Sequence, residues 1–253
     1  MLIVSPKPLI TIENNTVFLQ IHFSKSISAK EVMERKSGKR NKKFENLHIA
    51  QFEAAQRSKY DMPELTPTHY EQDNTEFIPF NSVKSKGNIE NYGVHFFIDD
   101  YQFDRIWRRP LLYCKMLKKC KYVLTPDYTL YANVPIAMQI WKHYQKQWFG
   151  CYMQNAGIRT IPTLGWSDER SYEFCFEGIP AQSAVAVSSV GTQKTQKSKR
   201  LFKQGFQKAI EALKPSAILF FGQIPKDIDV AGLNIVQYPH GFDLKFKTLR
   251  NGR

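Results

Sequence analysis

The sequence predicts an α/β protein: a mainly parallel sheet with alternating helices, TIM-barrel-like or a partial barrel, plus an N-terminal β-hairpin and a basic arm. Two observations carry the prediction. From residue 91 onward, short runs such as VHFFI (94–98), SAVAVS (183–188) and AILFF (217–221) are apolar almost throughout. Strands covered on both faces read this way, whereas half-exposed strands alternate. Between these runs lie segments of helical period, and the strand–helix alternation is the mark of parallel βαβ units. A chain of 253 residues is long enough to bury one such core.

Residues 1–24 hold two β-like runs, Leu9–Ile12 and Val17–Phe23, on either side of Glu13-Asn14-Asn15, a hairpin pattern. Residues 25–59 are crowded with Lys and Arg, and the stretch RKSGKRNKK is too polar to bury anything, so it reads as a mobile loop or a basic arm. Pro63, Pro67 and Pro79 mark residues 60–90 as a connector laid over the surface. The spacing then predicts a helix over 104–120, with Pro110 either early within it or at a late start. Tyr122–Leu124 is the next strand. Pro135 opens a long helix through about Asn155, closed by Gly157. Ile158–Leu164 is a strand and Glu169–Phe176 a helix. A further helix covers 196–213, with Leu201, Phe202, Phe206, Ile210 and Leu213 at helical spacing. Leu233–Gln237 is the sixth strand. The organisation is therefore 1–76 (hairpin, arm and connector), 77–240 (α/β domain) and 241–253 (basic tail). Periodicity leaves closure of the sheet undetermined.

The net charge is +13. Such a charge favours a polyanionic partner, nucleic acid or a nucleotide first. Cys114, Cys120, Cys151 and Cys175 form no CxxC pair and read as small core residues of a reduced protein. No run approaches the ~20 apolar residues of a membrane span, and the N-terminus lacks a signal-peptide pattern. A cytoplasmic location in the producing cell or host and no membrane partner follow as expectations.

Five motifs in order, HFFIDDYQFDRIWRRP (95–110), LTPDYTLY (124–131), IAMQIWKHYQKQWFGCYMQNAGI (136–158), IPTLGWSDERSYEFCFEGIP (161–180) and VAVSSVG (185–191), resemble an uncharacterised phage and bacterial mobile-element family, domain of unknown function 4417. The resemblance spans about residues 77–222 and implies a phage or mobile-element setting. It implies no reaction.

In a parallel sheet, ligands gather at the C-terminal edge of the strands. There the sequence places Asp99-Asp100, Asp127, Trp166 with Asp168, Glu169 and Arg170, and Ser188-Ser189. The candidate catalytic residues are Asp100, Asp127, Asp168, Glu169 and Arg170. The acids would act as acid, base or ligands of a divalent metal ion, and Arg170 would hold an anion. The same segment has structural readings: Asp99 or Asp100 as a cap of the helix beginning near Asp104, Asp127 as a turn residue, and Ser167 as an N-cap with Arg170 paired to a neighbouring carboxylate. Trp166, Ser188 and Ser189 are the substrate-binding candidates, for ring stacking and phosphate contact. No GxxxxGK[ST], GxGxxG, HExxH or GxSxG motif is present. For nucleic acid, Arg35, Lys36, Lys39, Arg40, Lys42 and Lys43 are the candidates, because that segment has no core to serve.

Three functions remain open on sequence. One is a hydrolase or transferase acting on or beside nucleic acid. The second is a non-enzymatic nucleic-acid-binding accessory protein that uses the basic arm. The third is an enzyme on a free nucleotide or sugar.

Overall fold

The computed structural model of the chain describes residues 9–13, 16–20, 48, 58–73 and 75–239. The chain divides into two units, residues 1–41 and 42–253. In the first unit, β1 (Leu9–Glu13) and β2 (Thr16–Gln20) pair antiparallel, with Leu9 opposite Gln20 and Glu13 opposite Thr16. The predicted arm residues Arg35, Lys36, Lys39, Arg40, Lys42 and Lys43, and the basic tail 241–253, lie outside the described residues.

In the second unit the strands run parallel and neighbour one another in chain order. β3 (Phe77–Pro79), β4 (Gly93–His95), β5 (Tyr122–Leu124) and β6 (Thr160–Ile161) form one sheet, and β7 (Ala184–Ser188), β8 (Ala217–Phe221) and β9 (Ile235–Tyr238) another. Pro162 has no N–H, so the β5–β6 ladder ends there. Thr163 then bridges to Ala186 of β7; Leu164 N donates to Ala186 O at 2.7 Å and Ala186 N to Pro162 O at 2.9 Å. The Thr163 N–H is taken up by the Thr125 hydroxyl at 2.8 Å. These bonds splice the two sheets.

Successive strand residues face opposite sides, and both sides are buried. Tyr122, Leu124, Ile161, Ala184, Ala186, Ala217, Leu219 and Phe221 form one core. Val94 and Val123 pack the other way, under the helices that follow β4 and β5, as Val185, Val187, Ile218 and Phe220 do under the last helix. Double coverage is why the runs lack polar alternation. Across the first core, Phe77 of β3 meets Phe221 and Tyr238 with ring centroids 5.6 and 5.0 Å apart. The sheet is thus rolled, with small alanines on β7 and β8 beside large rings. Among the described residues no backbone pairing joins β3 to β9.

The helix predicted over 104–120 is two, α1 (Arg105–Arg108) and α2 (Pro110–Leu117). Arg109, at φ −138° and ψ 58°, breaks the run because a residue before proline avoids the helical region, and Pro110 takes the first helical position. α3 (Ile136–Asn155) follows Pro135 as expected, and Gly157 adopts φ +79° just beyond it. The predicted helix at 169–176 is a short 3-10 helix, Glu169–Glu173, capped by Asp168 rather than Ser167. α4 (Gln196–Leu213) starts at a Thr195/Ser198 capping box.

The proline-marked connector differs from the surface strap the sequence suggests. Met62, Leu65 and Tyr70 are buried. Thr68 N bonds Ser183 Oγ at 2.9 Å, Thr68 O accepts from Ala184 N at 2.9 Å, and Thr66 pairs with Gln154. The segment crosses the beginnings of β6 and β7 and seals that end. Its backbone groups find side-chain and strand-end partners, which is what permits an irregular segment to be buried.

Candidate functional site

The site at the opposite, C-terminal end is built around α3. Helical spacing puts Gln139, His143, Lys146 and Gln147 on one face, at i, i+4, i+7 and i+8. All four are buried, none above 2% exposed. A buried polar stripe has to find partners. Gln139 accepts from Ser167 Oγ at 2.7 Å and donates to Val134 O at 2.9 Å. His143 Nε2 donates to Glu177 O at 2.8 Å, and Gln147 Nε2 donates to the same carbonyl at 3.0 Å. His143 Nδ1 is left buried without a partner among the described residues. Lys146 donates to Thr163 O at 3.1 Å, where β6 has just left the sheet.

Lys146 lies across Gly165 from Asp127. A Cβ placed on Gly165 would stand 3.5 Å from Asp127 Oδ1 and 3.9 Å from Lys146 Nζ. Asp127 follows β5 by three residues and keeps some contact with solvent, although protein encloses most of it. Its carboxyl has no hydrogen-bond partner among the described residues. Burial pushes that carboxyl up to about 7; Lys146 opposes the shift and Asp100 adds to it. Burial pushes the Lys146 ammonium down, with Asp127 opposing. Burial, with Lys146 nearby, pushes His143 down to about 3. A carboxyl that exchanges its proton near neutrality beside a desolvated amine is suited to acid–base chemistry.

The other sequence candidates occupy several positions along the same edge. Asp100 accepts from Thr129 N at 3.2 Å and from Thr129 Oγ1 at 2.9 Å, which ties the β4 loop to the β5 loop. Asp168 caps the 3-10 helix and receives Arg170 Nε at 3.1 Å and Arg170 Nη2 at 2.8 Å. That hydrogen-bonded guanidinium holds the Asp168 carboxyl below its ordinary range. Arg170 also donates to Ala132 O at 2.6 Å and so clips the β6 loop to the segment before α3. Glu169 is exposed beside them. The Trp166 ring lies on Gly205 and Phe202 of α4, and its Nε1 donates to Leu201 O at 3.0 Å. Ser188 accepts from Val190 N at 3.2 Å, and buried Ser189 donates to Gln223 O at 2.7 Å. Among the described residues no group of three or more His, Cys, Asp or Glu is placed to hold a metal ion. All four cysteines are free and buried, and burial raises each thiol, Cys114 and Cys120 to about 11 and Cys151 and Cys175 to about 12. Among those residues, too, no helix is long and apolar enough to cross a membrane.

Asp127 is among the candidates the sequence offers, whereas Lys146 and His143 are not. The signal was present: four long polar side chains recur on one face of α3 at the spacing normally kept for apolar residues.

Comparison with known proteins places the chain. It is 33% identical over 213 residues to the Gene 1 protein of Mycobacterium phage L5, covering 81% of this chain and 89% of that protein. It is 30% identical over 190 residues to the Gene 1 protein of Mycobacterium phage D29, covering 75% of this chain and 70% of that one. No solved structure matches it. The family model described as Domain of unknown function (DUF4417) matches residues 54–239, which take in the whole parallel sheet and the Asp127–Lys146 site, and the chain belongs to that family.

Proposed function

We propose that the chain is an enzyme, a hydrolase or transferase acting on nucleic acid or a nucleotide, with Asp127 as its acid–base residue at the C-terminal strand edge. The carrying observation is Asp127: a carboxyl without a hydrogen-bond partner among the described residues, raised to about 7, beside the buried ammonium of Lys146. Structural aspartates are normally satisfied and acidic, so an aspartate that is neither is suited to proton transfer. Asp100 stabilises the protonated form by repulsion, and the Arg170 guanidinium on the rim offers contact to substrate phosphate. The net charge of +13 favours a polyanionic substrate, and the host cytoplasm is the compartment this reading implies.

The test is turnover. Single-stranded and duplex DNA, RNA and mononucleotides are incubated with the protein and with Asp127→Asn, and products are separated. The variant should lose roughly 10²- to 10⁴-fold in rate, the usual worth of a positioned acid or base. Equal rates, or no turnover by either protein, would overturn the reading. In the second case the accessory-protein reading stands, since α4 exposes Lys197, Arg200, Lys203 and Lys208 as a basic face. Replacing Arg35, Lys36, Lys39, Arg40, Lys42 and Lys43 by Gln should then weaken DNA binding and flatten its salt dependence.

A further inference from the structure

We infer that the notch beside Gly165 is a subsite for the oxygen of a phosphate monoester, seated between Lys146 Nζ and the Asp127 carboxyl. The inference rests on the acid–base reading of this edge and names the group bound there. Gly165 needs to be glycine neither for its backbone, which is not at positive φ, nor for crowding. Only Asp127 Oδ1 and Lys146 Nζ come within 4 Å of a Cβ there, both at ordinary contact distance. The missing side chain therefore opens a half-buried space walled by one carboxyl and one ammonium. Lys146 gives one of its three protons to Thr163 O and makes no ion pair among the described residues. Two donors are thus free for an incoming anion, and a buried ammonium gains most from one. The Cβ direction at Gly165 aims into the gap between the two groups, so a ligand oxygen seated farther out along it, in van der Waals contact with the Gly165 Cα, faces both.

Asp127 selects the kind of anion. A phosphate monoester gives up its second proton near pH 6, close to where Asp127 exchanges its own, so the two can share one proton in a strong hydrogen bond. A diester has no proton to share once Asp127 is ionised, so above about pH 7 a terminal phosphate is favoured over a backbone one.

The experiment measures binding of inorganic phosphate, adenosine 5′-monophosphate, and an oligonucleotide with and without a 5′-phosphate, at fixed ionic strength. Wild type should bind phosphate and the monophosphate, and should prefer the 5′-phosphorylated strand if the source is nucleic acid. Gly165→Val fills the notch and should weaken phosphate roughly 10- to 100-fold at an unchanged melting temperature. Lys146→Met should do the same by a different route. Unchanged phosphate binding by Gly165→Val or by a folded Lys146→Met sinks the subsite, as does absence of phosphate binding by wild type. If Asp127→Asn keeps full activity while Gly165→Val loses phosphate, the acid–base reading fails and the subsite survives.

Discussion

The two long helices of the second unit bury opposite kinds of surface. α4 turns Phe202, Phe206, Ala209 and Leu213 onto β7 and β8 and leaves its lysines in water. α3 turns Gln139, His143, Lys146 and Gln147 inward along its first three turns, and only from Trp148 to Met153 does it pack as an apolar helix. The first pattern maximises burial of apolar area. The second desolvates polar groups that folding alone does not require, and one of them is a cation. Both helices cover parallel strands, so coverage does not explain the difference. What α3 has beside it, and α4 does not, is Asp127.

Breaking each helix should therefore do different things. Phe206→Ala, which removes a ring packed on Phe202 and Phe220, should cost about 3–5 kcal/mol in urea unfolding while leaving the rate per folded molecule unchanged. Lys146→Met should go the other way. Measured at pH 6, where Asp127 holds its proton, its stability should lie within about 1 kcal/mol of wild type or above it, because an apolar replacement removes a buried charge. A large loss in that variant would make the stripe structural. Lys203→Gln on the exposed face of α4 should change stability by no more than about 0.5 kcal/mol.

The pH dependence sharpens the contrast further. Asp127, facing Lys146 and Asp100, is raised from 3.8 to about 7. Between those values the unfolded chain has lost this proton and the native chain holds it, so stability from this group falls as pH rises through the window. His143, facing Lys146 and the Glu177 carbonyl, is lowered from 6.5 to about 3. Between those values the unfolded chain is protonated there and the native one is not, so its contribution is lost as pH falls. The two slopes oppose across about pH 4–6.5 and flatten the wild-type curve. Asp127→Asn should uncover a stability that rises with pH there, and His143→Gln one that falls. Parallel curves for wild type and both variants would show that neither group is perturbed by folding.

Much of this contrast was legible before any coordinates. α4 could be read in full, because apolar residues at helical spacing and a Thr-Ser start leave few alternatives. α3 could be read as a helix, but not as the carrier of the site. A polar stripe on a sequence is normally solvent-facing, and only the sheet edge and the loop at 174–179 reveal that this one faces in. The sequence did place Asp127, Asp168 and Arg170 at the strand ends, since parallel topology sends every strand terminus to one edge. It could not distinguish them. Asp168 holds its own helix cap and guanidinium, while Asp127 has neither.

The sequence by itself determined that the sheet is parallel and covered on both faces, because continuous apolar runs alternating with helices admit little else. It also marked the family and the edge where polar groups gather. Only the tertiary structure decided that the connector seals the far end, that Trp166 leans on Gly205, and that Lys146 meets Asp127 across Gly165. Those pairings are 19 to 116 residues apart or depend on a side chain's absence, and local periodicity carries no information about either. The proton held near neutral at Asp127 belongs wholly to this second category, since its energy is set by what folding removes from water around it.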